Sequence, residues 1–206
     1  MQKRIFDAPP IVYGHRHSRA FRVLWMLEEL GIEYESRPVM PHDAELLRLS
    51  PLGKIPVLAL ADTVIADSTA ILQFLADSAG RFSHPCGTLE RAAQDSLTGR
   101  LLDEFDACLW AAAKHSFVLP KKRRTPDVKP TLKWEFARSA RSLQSQLGCH
   151  EFLMGPTMTV PDFILAHCLV WAEVAKFNQP EPALAAYLTR MRGRSAFQRI
   201  AAPNQQ

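Results

Sequence analysis

The sequence predicts a molecule in two parts, an α/β unit built on a small mixed sheet and then an all-helical unit. Three observations predict it. Up to residue 79, short apolar extended runs alternate with helical runs, the order that gives a sheet with helices on its faces. Between 80 and 87 the composition turns to Gly, Ser, His and Pro, as in a linker. From 88 to 206 apolar residues recur at helical spacing.

Residues 1–10 end in Pro9-Pro10 and read as a loosely attached lead. Ile11-Val12-Tyr13 is a short strand, and 14–17 is a turn. A helix then runs from Ser18 to about Leu30. Val23, Met26, Leu27 and Leu30 fall at i, i+3, i+4 and i+7, while Phe21, Leu24 and Trp25 fill a neighbouring face. A helix apolar over most of its circumference must be covered on more than one side, by its own sheet and by something else. Gly31 ends it as a left-handed C-terminal residue. Residues 33–39 are extended, and Pro38 makes them an edge strand. A helical turn over 43–49 precedes two short strands reaching about residue 65, and Ser68 opens a helix to about 78.

In the second part, Leu97, Leu101, Phe105, Cys108 and Leu109 form the stripe of one long helix. Leu132, Phe136, Ala140, Leu143 and Leu147 form another, ended by Gly148. The strongest local signal is Thr159-Val160-Pro161-Asp162. Thr159 caps a helix, Asp162 returns a bond, and Met158 can staple onto Phe163. The helix over 163–174 is apolar almost all round and reads as the centre of this unit.

The chemistry concentrates in Leu52-Gly53-Lys54-Ile55-Pro56-Val57-Leu58 and Asp67-Ser68. Proline gives no N–H to a ladder, so Pro56 suits a strand's first residue, and Ile55–Pro56 is a candidate cis bond. Such a turn leaves the backbone of Ile55 open to pair with an extended peptide. A helix N-terminus attracts carboxylates, so Ser68 and the helix end can take one, with an ammonium on Asp67. The plainer reading is that Asp67 or Ser68 only caps the helix. The proline stretch upstream favours the peptide site.

Composition bounds the partners. The chain is 47% hydrophobic and 22% charged, which supplies a core and fits a soluble globular protein. Its formal charge of +4 is mild, and much of it lies in Lys121-Lys122-Arg123-Arg124, a basic loop without the interleaved aromatics of a nucleic-acid groove. Cys86, Cys108, Cys149 and Cys168 are widely separated and read as free thiols of a reducing compartment. No signal-peptide h-region or membrane-length apolar stretch occurs. The expectation is a cytoplasmic protein with no nucleic-acid and no membrane partner.

Taken in order, several stretches resemble the glutathione transferases from about residue 11 to about residue 200. They are Val12-Tyr13-Gly14 leading to Ser18 and Arg22, Leu27-Glu28-Glu29-Leu30-Gly31, the run from Ser50 through Leu58, Asp67-Ser68-Thr69-Ala70-Ile71-Leu72, and Phe152-Leu153-Met154-Gly155 followed by the capping stretch at Thr159. The resemblance implies a thioredoxin-like domain over 11–79 carrying a glutathione site, an all-helical domain over 88–206 that shapes a hydrophobic co-substrate pocket, and a homodimer. Glutathione is then the co-substrate, and no metal is implied. By position, Ile55 meets the cysteinyl backbone beside Pro56, Asp67 and Ser68 hold the γ-glutamyl end, and Lys54 lies toward the glycine carboxylate. Most members carry Glu where this chain has Asp67, whose shorter arm can reach the ammonium through water.

A free thiol has a pKa of about 8.5, so little of it is thiolate at neutral pH. A hydroxyl at a helix N-terminus stabilises the thiolate. Ser18, four residues before Arg22, stands where serine-type members carry that hydroxyl. Tyr13 is its rival, on the strand where other classes place a tyrosine, and Ser18 is favoured. No cysteine occurs in residues 1–79, so a mixed-disulfide route is closed. His15, Arg16 and His17 lack the carboxylates or thiols of a metal site; a cation there would favour the thiolate. Trp110 and His115 are the co-substrate pocket candidates, whereas Phe105 reads as core. The function implied is conjugation of glutathione to a hydrophobic electrophile, the chemistry of detoxification. A glutathione-dependent isomerase or peroxidase, or a binding or dimerisation module with little activity, is the alternative.

Overall fold

The computed structural model describes residues 5–177 and 181–202. They group into two compact units: residues up to Pro85 together with those from Arg192 on, and Cys86–Met191.

In the first unit, β1 (Ile11–Tyr13), β2 (Glu35–Arg37), β3 (Val57–Leu60) and β4 (Thr63–Ala66) form one sheet in the order β2-β1-β3-β4. β1 and β2 are parallel, and such a pair needs a crossover, which α1 (Ala20–Leu30) supplies. β3 runs antiparallel to both β1 and β4. β2 is an edge strand, as Pro38 requires. Side chains alternate across the sheet. Tyr13 and Val57 pack with Leu46 of α2 (Ala44–Leu49) on one face. Val12 and Leu58 point to the other face, where α1 and α3 (Ser68–Ala79) pack.

The lead is held at two points: the Phe6 ring stacks on Phe74 at 6.0 Å, and the Pro10 carbonyl accepts from the Glu35 N–H at 2.9 Å. Residues 1–4 of the predicted lead lie outside the described residues.

The second unit begins with α4 (Leu89–Leu101), a π-helical turn (Leu102–Asp106), α5 (Ala107–Ala113) and a second π-helical turn (Lys114–Val118). The long helix expected from its stripe is therefore one rod interrupted by two wide turns, which periodicity alone does not distinguish. α6 (Val128–Leu147), α7 (Val160–Val174) and α8 (Pro182–Arg192) complete the unit. Phe105 is fully buried and meets Phe136 edge-on at 5.1 Å, which confirms it as core. Along α7, Phe163, Ile164, Leu165 and Ala166 are all fully buried, as a central helix demands. No described helix is long and apolar enough to cross a membrane.

α9 (Ser195–Ala201) packs on α1 within the first unit. Phe197 sits edge-on against Phe21 at 4.9 Å and Trp25 at 5.0 Å, so α9 is part of the second cover that the apolar circumference of α1 requires. Arg194 donates to both carboxylate oxygens of Glu29, at 2.6 and 2.8 Å, and the Trp25 indole N–H adds a third bond at 3.0 Å. Burial pushes the Glu29 carboxyl up, but the bonds from Arg194 and Trp25 and the Arg194 charge outweigh it, and the net shift is downward. A carboxyl whose folded pKa is depressed stabilises above its unfolded pKa and loses that contribution as pH falls through the folded value. Arg194→Ala is therefore expected to lower the melting temperature at neutral pH, with the difference vanishing below the carboxylate range; melting curves from pH 3 to 7 check it.

Candidate functional site

The site grows from the turn that follows β1. Gly14 takes a φ of 138°, a region side chains disfavour, and a Cβ placed there meets Ala20 Cβ at 2.9 Å and Ile55 Cβ at 3.2 Å. Three segments converge on this atom-sized gap: the end of β1, the start of α1 and the loop before β3. The Ile55–Pro56 peptide is cis. Ile55 lies just outside β3, and among the described residues no turn or loop backbone bond takes its N–H or C=O. Gly14→Ala is expected to cost roughly 1–3 kcal/mol from backbone strain alone, with further loss from the two close contacts. The urea midpoint should fall; a variant as stable as the parent would show that the junction yields freely.

Ser18 is half-buried at the head of α1. Its hydroxyl donates to the His15 carbonyl at 2.7 Å and accepts the Ala20 N–H at 3.1 Å, and its own N–H also donates to the His15 carbonyl. Because Ser18 closes this turn, α1 starts at Ala20, two residues later than its periodicity suggests. Tyr13 is only 5% exposed, and its hydroxyl accepts from Arg37 at 3.1 Å. The same guanidinium pairs with Glu35 at 2.6 Å and Glu45 at 3.1 Å. The phenol is thus held on the α2 side of the sheet.

At the head of α3, Asp67 has a φ of 78° and its Oδ1 accepts from the Thr69 and Ala70 N–H groups at 2.8 and 3.1 Å. One carboxylate oxygen is the helix cap, and neither Thr69 nor Ala70 takes the other. Ser68 is 2% exposed, and its Oγ accepts from Arg22 at 3.4 Å. Arg22, fully buried on α1, thereby joins the helix headed by Ser18 to the helix headed by Ser68. The resemblance marked Arg22 only by position; its bond to a residue 46 places away has no sequence signal. Lys54 is exposed beside Ile55.

His15, Arg16 and His17 occupy the turn before Ser18. Burial, and then His17 beside it, pushes the His15 pKa below the ordinary histidine value. Arg16 donates to His17 at 3.3 Å and to the Ala202 carbonyl. Trp110 and His115 lie in the second unit, where His115 Nδ1 accepts the Thr125 N–H at 2.9 Å and ties the second π-helical turn to the loop after it.

The heads of α1 and α3 are places where a negative charge is favoured, beside the Ile55 backbone. The family model for the glutathione S-transferase N-terminal domain matches residues 18–78. Glutathione S-transferase 1 of Saccharomyces cerevisiae is 39% identical over 80 residues, 32% of this chain and 34% of the yeast protein, so the match spans about a third of that relative's length. Human hematopoietic prostaglandin D synthase is 26% identical over 163 residues, covering 77% of this chain and 76% of that protein. The crystal structure of a glutathione transferase from Methylococcus capsulatus superposes with a TM-score of 0.80 at 25% identity, covering 93% of this chain and 96% of that one. The fold is accordingly that of the glutathione transferases, a thioredoxin-like domain followed by a helical region, and residues 18–78 are similar to the N-terminal domain of that family.

Proposed function

We propose that the protein is a glutathione transferase that binds glutathione in its first unit, activates the thiol and transfers it to a hydrophobic electrophile. The observation that carries this is the convergence at Gly14, which packs the turn bearing Ser18 against Ile55 and Pro56. In this reading the Ile55 backbone pairs with the cysteinyl part of the tripeptide. Ser68 and the head of α3 take the γ-glutamyl carboxylate, Asp67 the ammonium, and Lys54 the glycine carboxylate. Ser18 donates a hydrogen bond to the sulfur, which loses its proton to solvent. The thiolate then forms the new carbon–sulfur bond, and the electrophile either expels its leaving group or takes up a proton. Trp110 and His115 belong to the co-substrate pocket in the same reading, in a cytoplasmic homodimer.

Asp67 separates binding from capping. Asn caps helices as well as Asp and tolerates positive φ, but carries no charge. Asp67→Asn is expected to raise the glutathione KM about tenfold with the melting temperature unchanged, the size of one exposed charge-assisted bond. An unchanged KM would mean that Asp67 serves only as the cap.

Two other readings have an observation behind them. The Ser18 proton already engages the His15 carbonyl, which favours a module that binds without turnover. The likeness to prostaglandin D synthase favours an isomerase that uses the same thiolate. Retention on immobilised glutathione followed by a panel of electrophiles and isomerisable substrates decides among them. Failure to be retained at all would overturn the glutathione site itself.

A further inference from the structure

Side-chain contacts tie α9 and its flanks to α1 and the turn before it, the Arg199–Glu28 pair at 2.5 Å among them. Arg194 meets Glu29 near the C-terminal end of α1, Phe197 lies against Trp25 and Phe21 at its middle, and the Ala202 carbonyl accepts from Arg16 in the turn before its head. Phe21 and Trp25 are four residues apart on one helical face, so a single ring bridges both. The Arg16 contact falls at the far end: a guanidinium on a carbonyl just past the C-terminus of α9, where unpaired carbonyls and the helix dipole both favour a cation. Arg16 lies between His15, whose carbonyl holds the Ser18 hydroxyl, and Ser18 itself. The turn that presents Ser18 is consequently braced on one side by Gly14 against Ile55 and on the other by the chain's last described helix.

We propose that α9 is a clamp on the serine turn, with Arg16 and Phe197 as positioning residues that fix where the Ser18 hydroxyl stands. The consequence for catalysis rests on the thiol-activating reading of Ser18; the clamp itself does not. The residues assigned to grip glutathione, Ile55, Asp67 and Ser68, lie on other segments. Loosening the clamp therefore disturbs activation more than binding.

Amide hydrogen exchange of the unliganded full-length protein reads the clamp without reference to activity. Arg16→Ala and Phe197→Ala are expected to speed exchange over residues 15–20 about tenfold or more, with β3 and α3 unchanged. In turnover assays, kcat is expected to fall about tenfold while the glutathione KM stays within about twofold, and Arg16→Lys is expected to restore most of the loss. Unchanged exchange over 15–20 in both variants overturns the clamp. Faster exchange with parental kcat and an unchanged titration of the bound thiol overturns the positioning role of Arg16 and Phe197, because the turn would then move without affecting Ser18. Should the parent protein bind no glutathione, the thiol-activating reading fails while the exchange result still decides the clamp. Arg16→Ala, a substitution in a turn outside the core, keeps the test open if Phe197→Ala unfolds.

Discussion

Ser18→Ala is expected to lower kcat for conjugation by about 10–100-fold at pH 7 and to leave the glutathione KM little changed, since removing one donor aimed at developing or resident negative charge costs up to about 10²–10³. The size of the effect distinguishes two roles. A thiol with a pKa of about 8.5 is roughly 3% ionised at pH 7, whereas one lowered to about 6.5 by a helix head and a hydroxyl is roughly 75% ionised, a gain of about 25-fold in thiolate. A less basic thiolate is also a weaker nucleophile, and two pKa units at a Brønsted slope of about 0.45 take back about eightfold. The pKa shift alone thus supplies only about threefold at pH 7. Above pH 8.5 it would make the alanine variant faster than the parent, because both thiols are then ionised and the variant's is the more basic. The prediction is that the variant stays slower even at pH 9, because in the proposed function Ser18 also orients the sulfur. A crossover of the two pH–rate profiles would reduce Ser18 to a pKa device.

The Ser18 hydroxyl has to turn from the His15 carbonyl to the sulfur for this to happen. It exchanges one neutral hydrogen bond for a charge-assisted one, roughly twice as strong. Its oxygen already sits at the head of α1, held by the Ala20 N–H, so only the proton has to be redirected. Tyr13 differs in its place and not in its proton, since its hydroxyl accepts from Arg37. Its phenol is buried against Leu46 and Val57 and is held by an Arg37 that two carboxylates fix in turn.

What could be read in the sequence was local. Gly31 at a φ of 67°, the proline before β3, the edge strand beside Pro38 and the box at Thr159 each depend on residues within a few positions of one another. Hydrophobic period gave the helices, and over-complete burial of α1 announced a second cover. It could not say which segment supplied that cover, because a seven-residue helix more than 160 positions away carries no pattern pointing back to α1. The same limit hid the Arg22–Ser68 bond and the Arg16–Ala202 contact. Asp67 was legible as both cap and ligand, and the geometry shows why the two need not compete: one oxygen caps α3 while the carboxylate remains exposed.

Asp162→Ala is expected to destabilise the helical unit by about 3–5 kcal/mol, because it orphans several buried donors at once. The carboxylate is fully buried at the head of α7. Its Oδ1 accepts from the Leu153 N–H at 3.0 Å and the Tyr187 hydroxyl at 2.9 Å. Its Oδ2 accepts from the Thr159 N–H at 2.8 Å and the Thr159 hydroxyl at 3.1 Å. Four donors from three segments thus depend on one side chain, which pins the loop before α7 and the α8 helix to the central helix. For a chain of this length the loss corresponds to a fall in melting temperature of about 10 °C. Asp162→Asn keeps one acceptor oxygen but turns an amide toward the donors on the other side, so an intermediate loss is expected. Burial pushes the Asp162 carboxyl up, and the bonds from Leu153, Thr159 and Tyr187 pull it back only in part. A carboxyl whose folded pKa is raised stabilises most below its unfolded pKa, and that contribution declines as pH rises toward the folded value. The gap between the parent and Asp162→Asn should therefore narrow on going from pH 4 to pH 7. A gap that widens instead would mean that the donors, and not desolvation, set the proton affinity of this group.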